Sequence, residues 1–180
     1  MGYDEATTHG TVEGVSVVIR TPAVESDAQL ARLLQIAVVL EEVVEARAYK
    51  HYQGLPDDER DETIESFLET VSDRSADHRE RLETLIEALD GSSVSFSEIE
   101  ELVAEQYSHS GPEDFDGILY DQLHGEETSY KFYDDLIEAI EGTDREFGVD
   151  RDRLLATLKS IRKEEAGGVK RIAELMEDRA

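Results

Sequence analysis

The stretch "VVLEEVVEARAY", Val38 to Tyr49, sets Glu41, Glu42 and Glu45 inside the most apolar region of a very acidic chain. The protein has 180 residues, with 44 Asp+Glu against 18 Lys+Arg and a formal net charge of -26. Most of its acids can sit in water, so carboxylates in an apolar helix need a reason. Just upstream, Leu30 to Leu40 is apolar all round. A helix that is apolar on every side is buried on two sides, and the second face is expected to meet another copy of the chain, giving a homodimer.

Working outward from this stretch, four long helical patterns appear. The first is capped by Ser26 or Asp27 and runs to about Tyr52, stopping before "GLP". The second starts near Asp57 to Glu59 and carries Ile64, Phe67, Leu68, Val71, His78, Leu82, Leu85 and Leu89 on one face. A long connection follows, with a short extra helix in "SEIEELVAEQYS", Ser97 to Ser108. The third helix runs from about Phe115 to Ile140 and the fourth from about Asp150 to Met176. Residues 1–25, containing "VEGVSVVIRTP", lack a helical period and read as an extended arm. Short, long and short connections between amphipathic helices predict an all-α, antiparallel four-helix bundle over residues 26–178, with a crossover between helices two and three.

Each helix carries a polar residue near mid-length on its inner face. Glu126 interrupts the series Leu119, Leu123, Tyr130, Tyr133, Ile137, and Glu165 interrupts Leu154, Leu158, Ile161, Gly168, Ile172. His78 interrupts Phe67, Val71, Ser75, Leu82. In the first helix the register is open. Glu42 and Tyr49 are seven residues apart, as are Glu126 and Tyr133, and such pairs share a helix face. Glu45 and Tyr52 have the same spacing. Glu42 is preferred, Glu45 stays a candidate on the next turn, and Glu41 is assigned to the surface or an interface. Ionised carboxylates in an apolar core cost several kcal/mol each, on the order given by desolvation, unless a cation sits among them. Carboxylates with an imidazole suit iron or manganese. Arg74, one turn before His78, could supply the positive charge instead. Gly125, Gly167 and Gly168 lie inside helices beside these residues, where close backbone approach or a water-filled pocket would justify them.

Composition removes several functions. The strong negative charge disfavours nucleic acid and anionic lipid surfaces. There is no Cys, which excludes disulfides, thiolate zinc sites and iron–sulfur clusters. No apolar run is long enough to span a membrane, and the start of the chain lacks a signal-peptide pattern, so a cytoplasmic location is expected. Abundant acid with little Lys is similar to surfaces from salt-in, halophilic organisms.

The segments "EVVEARAY", "ADHRERL", "EETSYKFY" and "EEAGGVKRI" resemble the ferritin-like superfamily, closest to rubrerythrin-like or erythrin-like members. The resemblance covers roughly Asp27 to Met176 and implies a carboxylate-bridged diiron centre that oxidises Fe(II) with O2 or H2O2, in iron homeostasis or oxidative-stress defence. Carried over, the metal ligands are Glu42, His78, Glu126 and Glu165. Around them Glu45, Tyr49, Arg74, Ser75, Tyr130 and Tyr133 are further ligand candidates or supporting residues. The chain departs from the family's pattern at two ligand positions, which are Ser75 and Gly168 here. Four protein ligands could hold one metal, or two completed by water. The alternative is a degenerate bundle serving as a dimeric structural or partner-binding protein.

Overall fold

The computed structural model describes residues 23–89 and 115–179. Residues 1–22 of the expected arm and the expected short helix at Ser97 to Ser108 lie outside the described residues, as does the Tyr49 side chain. Four long helices make the structure: α1 (Asp27–Gln53), α2 (Glu62–Glu87), α3 (Phe115–Glu141) and α4 (Arg151–Arg179). A single 3-10 turn, Asp57–Glu59, follows α1. Among the described residues there is no strand, and no helix is long and apolar enough to cross a membrane.

Local chemistry sets the helix ends. The first amides of a helix have no partner within it, and a preceding Ser or Asp supplies one. The Gln29 N–H donates to Ser26 Oγ at 3.2 Å, the Thr63 N–H to Asp61 Oδ1 at 2.8 Å, and the Arg153 N–H to Asp150 Oδ1 at 2.8 Å. With Ser26 as the cap, Asp27 is free to tie α1 to the start of α4, and both its oxygens accept from the Gly148 N–H at 3.1 Å. Arg151 donates to the Ile140 carbonyl at 2.7 Å, satisfying the end of α3 from the start of α4.

The helices pack as a bundle. α1 lies along α2, α3 lies along α4, the two pairs meet mainly through α1 and α3, and α2 touches α4 more sparsely. Two apolar layers fill the interior. One holds Leu30, Leu34, Val38, Leu82, Leu85, Ile137, Leu154 and Leu158 among others. The other holds Val44, Ile64, Phe67, Val71, Leu119, Ile172 and Leu175. Each fully buried aliphatic side chain contributes about 1.5–3 kcal/mol. The chain leaves one layer and enters the other at different places in each helix, yet the break is always filled by polar residues: Glu41 in α1, Ser75 and His78 in α2, Gln122, Glu126 and Ser129 in α3, and Glu165 in α4. A polar layer is thus clamped between two apolar ones.

The inner faces of α2 and α4 are those expected, with Ser75, His78, Glu165 and Gly168 all buried on them. On α3 the inner face is turned from the expected series. Gln122 and Ser129 are buried, Leu123 is only half-buried, and Tyr130 is 38% exposed. The second face of α1 also differs from expectation. Val39 and Leu40 are buried within the single chain, packed with Ile36, Val43 and Phe132 of α3. Burial of this face therefore requires no second copy.

Candidate metal centre

The polar layer closes into one connected network. Its centre is His78, which is fully buried. Its Nδ1 stands 3.1 Å from Glu41 Oε1 and 3.1 Å from Glu165 Oε1, while Nε2 stands 2.9 Å from Glu164 Oε2. The Tyr133 hydroxyl, also fully buried, donates to the same Glu41 Oε1 at 2.7 Å. Glu165 lies within hydrogen-bonding reach of Glu126. Arg74 then ion-pairs with Glu126 Oε1 through Nη2. The order across the bundle is Tyr133, Glu41, His78, Glu165, Glu126, Arg74. Glu164 is the outward branch. It is about one-third exposed and is held by Arg81 at 3.0 Å and by the Ser160 hydroxyl at 3.1 Å.

Burial and neighbouring charge set the protonation of this network. Burial opposes a charged imidazole, but the carboxylates of Glu165, Glu41 and Glu164 outweigh it and hold the His78 pKa up at about 10. With both ring nitrogens facing carboxylate oxygens, His78 is an imidazolium that donates from each. Nδ1 carries one hydrogen, which Glu41 receives. Glu165 Oε1 stays in the ion-pair shell without a hydrogen bond of its own. Burial, the charge of Glu165 and the contact with it push Glu126 up to about 9, against the pull of Arg74. Glu165 moves down: His78 and Glu126 overcome the effect of its burial. Glu126 and Glu165 therefore share one proton, carried by Glu126. Glu164 is also lowered, as His78 and Arg81 outweigh burial. Burial and the Glu41 carboxylate raise the Tyr133 phenol well above its ordinary range. Arg74 and His78 thus bring positive charge into the layer beside the carboxyls of Glu41, Glu126 and Glu165.

His78, Glu126 and Glu165 are brought together as the sequence suggests, and Tyr133, Arg74 and Ser75 lie in or beside the same layer. Glu42 is not in it. Its place is taken by Glu41, which is only 1% exposed. Glu42 and Glu45 instead pair with Arg79 at 3.4 and 2.8 Å on the α1–α2 surface, where Ser72 also donates to Glu45 at 3.2 Å. The cause is rotation: one residue along a helix turns the side chain by about 100°, and the inner face of α1 falls on Glu41. Tyr130 points away from the layer and is exposed. Two of the three glycines behave as expected. A Cβ on Gly125 would stand 3.3 Å from Val44 Cγ2, and one on Gly168 would stand 2.8 Å from Glu126 Cδ and 2.9 Å from Arg74 Nη1. Gly167 faces open space, so it serves no close approach.

Sequence reasoning missed Glu41, Glu164, Gln122 and Ser129. Glu164 was findable. It is adjacent to Glu165, on the side of α4 that meets α2, where Arg81 and His78 wait. Gln122 was findable too, because Gln122, Glu126, Ser129 and Tyr133 repeat at 4-3-4 spacing.

The donor set fits one divalent ion. Glu41, His78 and Glu165 each offer a ligand atom, all within 4.8 Å of one another. Ligand atoms at neighbouring corners around an ion with bonds of roughly 2.1 Å stand about 3 Å apart, and the two Nδ1–oxygen separations of 3.1 Å match that spacing. A metal-ligating histidine commonly donates its other N–H to a carboxylate, as His78 does to Glu164. Buried Oε1 of Glu165 and Oε2 of Glu126 receive no hydrogen bond from the described residues. Without a metal, Glu165 Oε1 has the His78 imidazolium 3.1 Å away and Glu126 shares its proton with Glu165, which meets the cost of burying them. No family model, curated protein or solved structure matches this chain.

Proposed function

We propose that this chain is a ferritin-like bundle that holds a divalent metal, iron or manganese, at Glu41, His78 and Glu165, and that it handles Fe(II) with O2 or H2O2 as oxidant. The observation that carries the reading is the double engagement of His78. Its Nδ1 faces two buried carboxylates, and its Nε2 is fixed by Glu164. Such a metal supplies a redox couple and a Lewis acid. The chain's own residues set the conditions for it. Glu164, Arg81 and Ser160 orient the imidazole, Tyr133 orients Glu41, and the apolar layers above and below keep bulk water out.

The ferritin-like topology is supported by how contacts run. Along α1 and α2 the pairs are Glu45 with Ser72, Glu42 with Arg79 and Glu41 with His78. From Glu45 to the Glu41–Glu42 turn the partner number rises from 72 to 78 and 79 as the first falls, as in antiparallel helices. Arg162 with Asp134 and Lys159 with Glu141 run the same way in α3 and α4, and Arg47 with Asp121 and Glu41 with Tyr133 in α1 and α3. That makes α2 and α3 parallel, which needs a crossover along the bundle between them.

A second reading is favoured by the Arg74–Glu126 ion pair. Arg74 gives the buried carboxyls a positive partner that is not a metal, as suits a bundle kept as a scaffold. The two readings separate in one experiment. Metal-free protein is titrated anaerobically with Fe(II) and with Mn(II), and bound metal is counted after dialysis in the wild type, in His78→Ala and in Glu42→Ala. The proposal expects one ion per chain in the wild type and in Glu42→Ala, and none in His78→Ala. No retained metal in the wild type leaves the scaffold reading. Fe(II) oxidation in air no faster than in buffer would remove the ferroxidase role alone.

A further inference from the structure

The Arg74 end of the network has a shape that the three-residue metal group does not explain. Glu126 is completely buried, and one of its oxygens receives no hydrogen bond from the described residues. The guanidinium of Arg74 meets the other oxygen through Nη2. Both groups press against the backbone of α4 at Gly168, where even a methyl would fall within 2.8 Å of Glu126 Cδ and 2.9 Å of Arg74 Nη1. The missing side chain at position 168 makes the room that the guanidinium and carboxylate fill. On the other side Glu165 reaches both His78 and Glu126, so it adjoins the Glu41–His78 group and the Arg74 group together. A cation on each side of Glu165 is what its position suits, and the chain supplies one of them covalently.

We infer that Arg74 occupies a second cation position, formed by Glu126, Glu165 and the space over Gly168, and thereby limits this chain to one metal ion. This rests on the reading of Glu41, His78 and Glu165 as the first metal position. Arg74 acts as a stoichiometry-determining residue. Its guanidinium is planar, permanently charged and cannot be displaced by deprotonation, so an incoming ion must move the side chain bodily. A charge swap of this kind is reversible by mutation. With Arg74 shortened, Glu126 and Glu165 face an open, desolvated pocket of negative charge, which a second Mn(II) or Fe(II) completed by water would fill.

The test counts Mn(II) bound per chain by equilibrium dialysis and records the electron paramagnetic resonance of the bound ions. The variants are wild type, Arg74→Ala, and Arg74→Ala with Glu126→Gln. The expected counts are one, two and one, and the two ions of Arg74→Ala are spin-coupled, a signal that a mere packing defect would not create. Arg74→Met, which keeps bulk without charge, guards against misfolding and is expected to bind more than one ion, which Arg74's positive charge prevents. One ion in every folded variant overturns the inference while leaving the first metal position standing. Two ions in the wild type overturn it as well. None in the wild type with one in Arg74→Ala, lost again on Glu126→Gln, sinks the first position and upholds Arg74 as the occupant of the second.

Discussion

The two ends of the buried network meet the same problem differently. At the Arg74 end the Glu126–Glu165 carboxyl pair, which shares one proton, meets a fixed guanidinium, and the neighbouring helix gives up its side chain to fit them. At the His78 end two carboxylates, Glu41 and Glu165, converge on a nitrogen whose charge depends on a proton. A guanidinium cannot give way to a metal without leaving, whereas an imidazolium becomes a ligand by losing one hydrogen. On the proposed reading, the difference teaches that burial and acidity alone do not make a metal position. The positive partner must be removable.

Breaking the His78 end should have the largest effect. His78→Ala is expected to abolish metal retention. In the metal-free protein it should cost about 3–5 kcal/mol, the usual result of removing one partner from a buried charge pair. Chemical denaturation measures the second figure. A loss under 1 kcal/mol, on the order of a surface pair, would mean that Glu41 and Glu165 need no cation. Next in size is Glu164→Gln, which leaves the ligands in place but weakens the hold on His78 Nε2. Metal affinity should drop about 10–100-fold with the count unchanged. Unchanged affinity would detach Glu164 from the site.

A pH series sharpens the same contrast. His78 and Glu126 both have folded pKa values above their ordinary ones, at about 10 and about 9. The folded state thus holds more protons than the unfolded one, and the stability this gives is lost as pH climbs through those values. The thermal midpoint of metal-free protein should fall between pH 7 and 10. Metal affinity should move the opposite way, because binding expels the Nδ1 proton. A midpoint that stays level across this window would deny His78 its charge. The smallest expected effect separates the adjacent glycines of α4. Gly167→Ala should stabilise the protein by about 0.5–1 kcal/mol, since its Cβ meets nothing. Gly168→Ala should destabilise it by crowding Glu126 and Arg74. Equal effects from the two would show that position 168 is not packed as described.

What could be read from the sequence divides along the same helices. In α2 and α4 the outer faces are densely charged, so one apolar stripe remains and its interruptions at His78 and Glu165 stand out. In α1 the apolar surface extends around the helix, covering Val39 and Leu40 as well as Leu34 and Val38. With no polar face to fix the angle, Glu41 and Glu42 could not be ranked by pattern, and the seven-residue echo with Tyr49 pointed to the wrong one. In α3 the expected inner face placed Leu123 and Tyr130 inside because they are apolar. Gln122 and Ser129 lie there instead, in the polar layer beside Glu126. A polar layer inverts the hydrophobic rule over about two turns of helix, and the rule then selects the neighbours of the right residues.

The burial of His78 and Glu126 has a consequence for ionic strength. At 1 M salt the screening length shrinks to about 3 Å, so repulsion among the surface acids of a chain with a formal net charge of -26 is largely quenched. The ion pairs of the inner layer have no solvent between them and keep their strength. Salt therefore acts on the outside of this molecule and protons on the inside. The molecule contains two electrostatic systems that respond to different solutes.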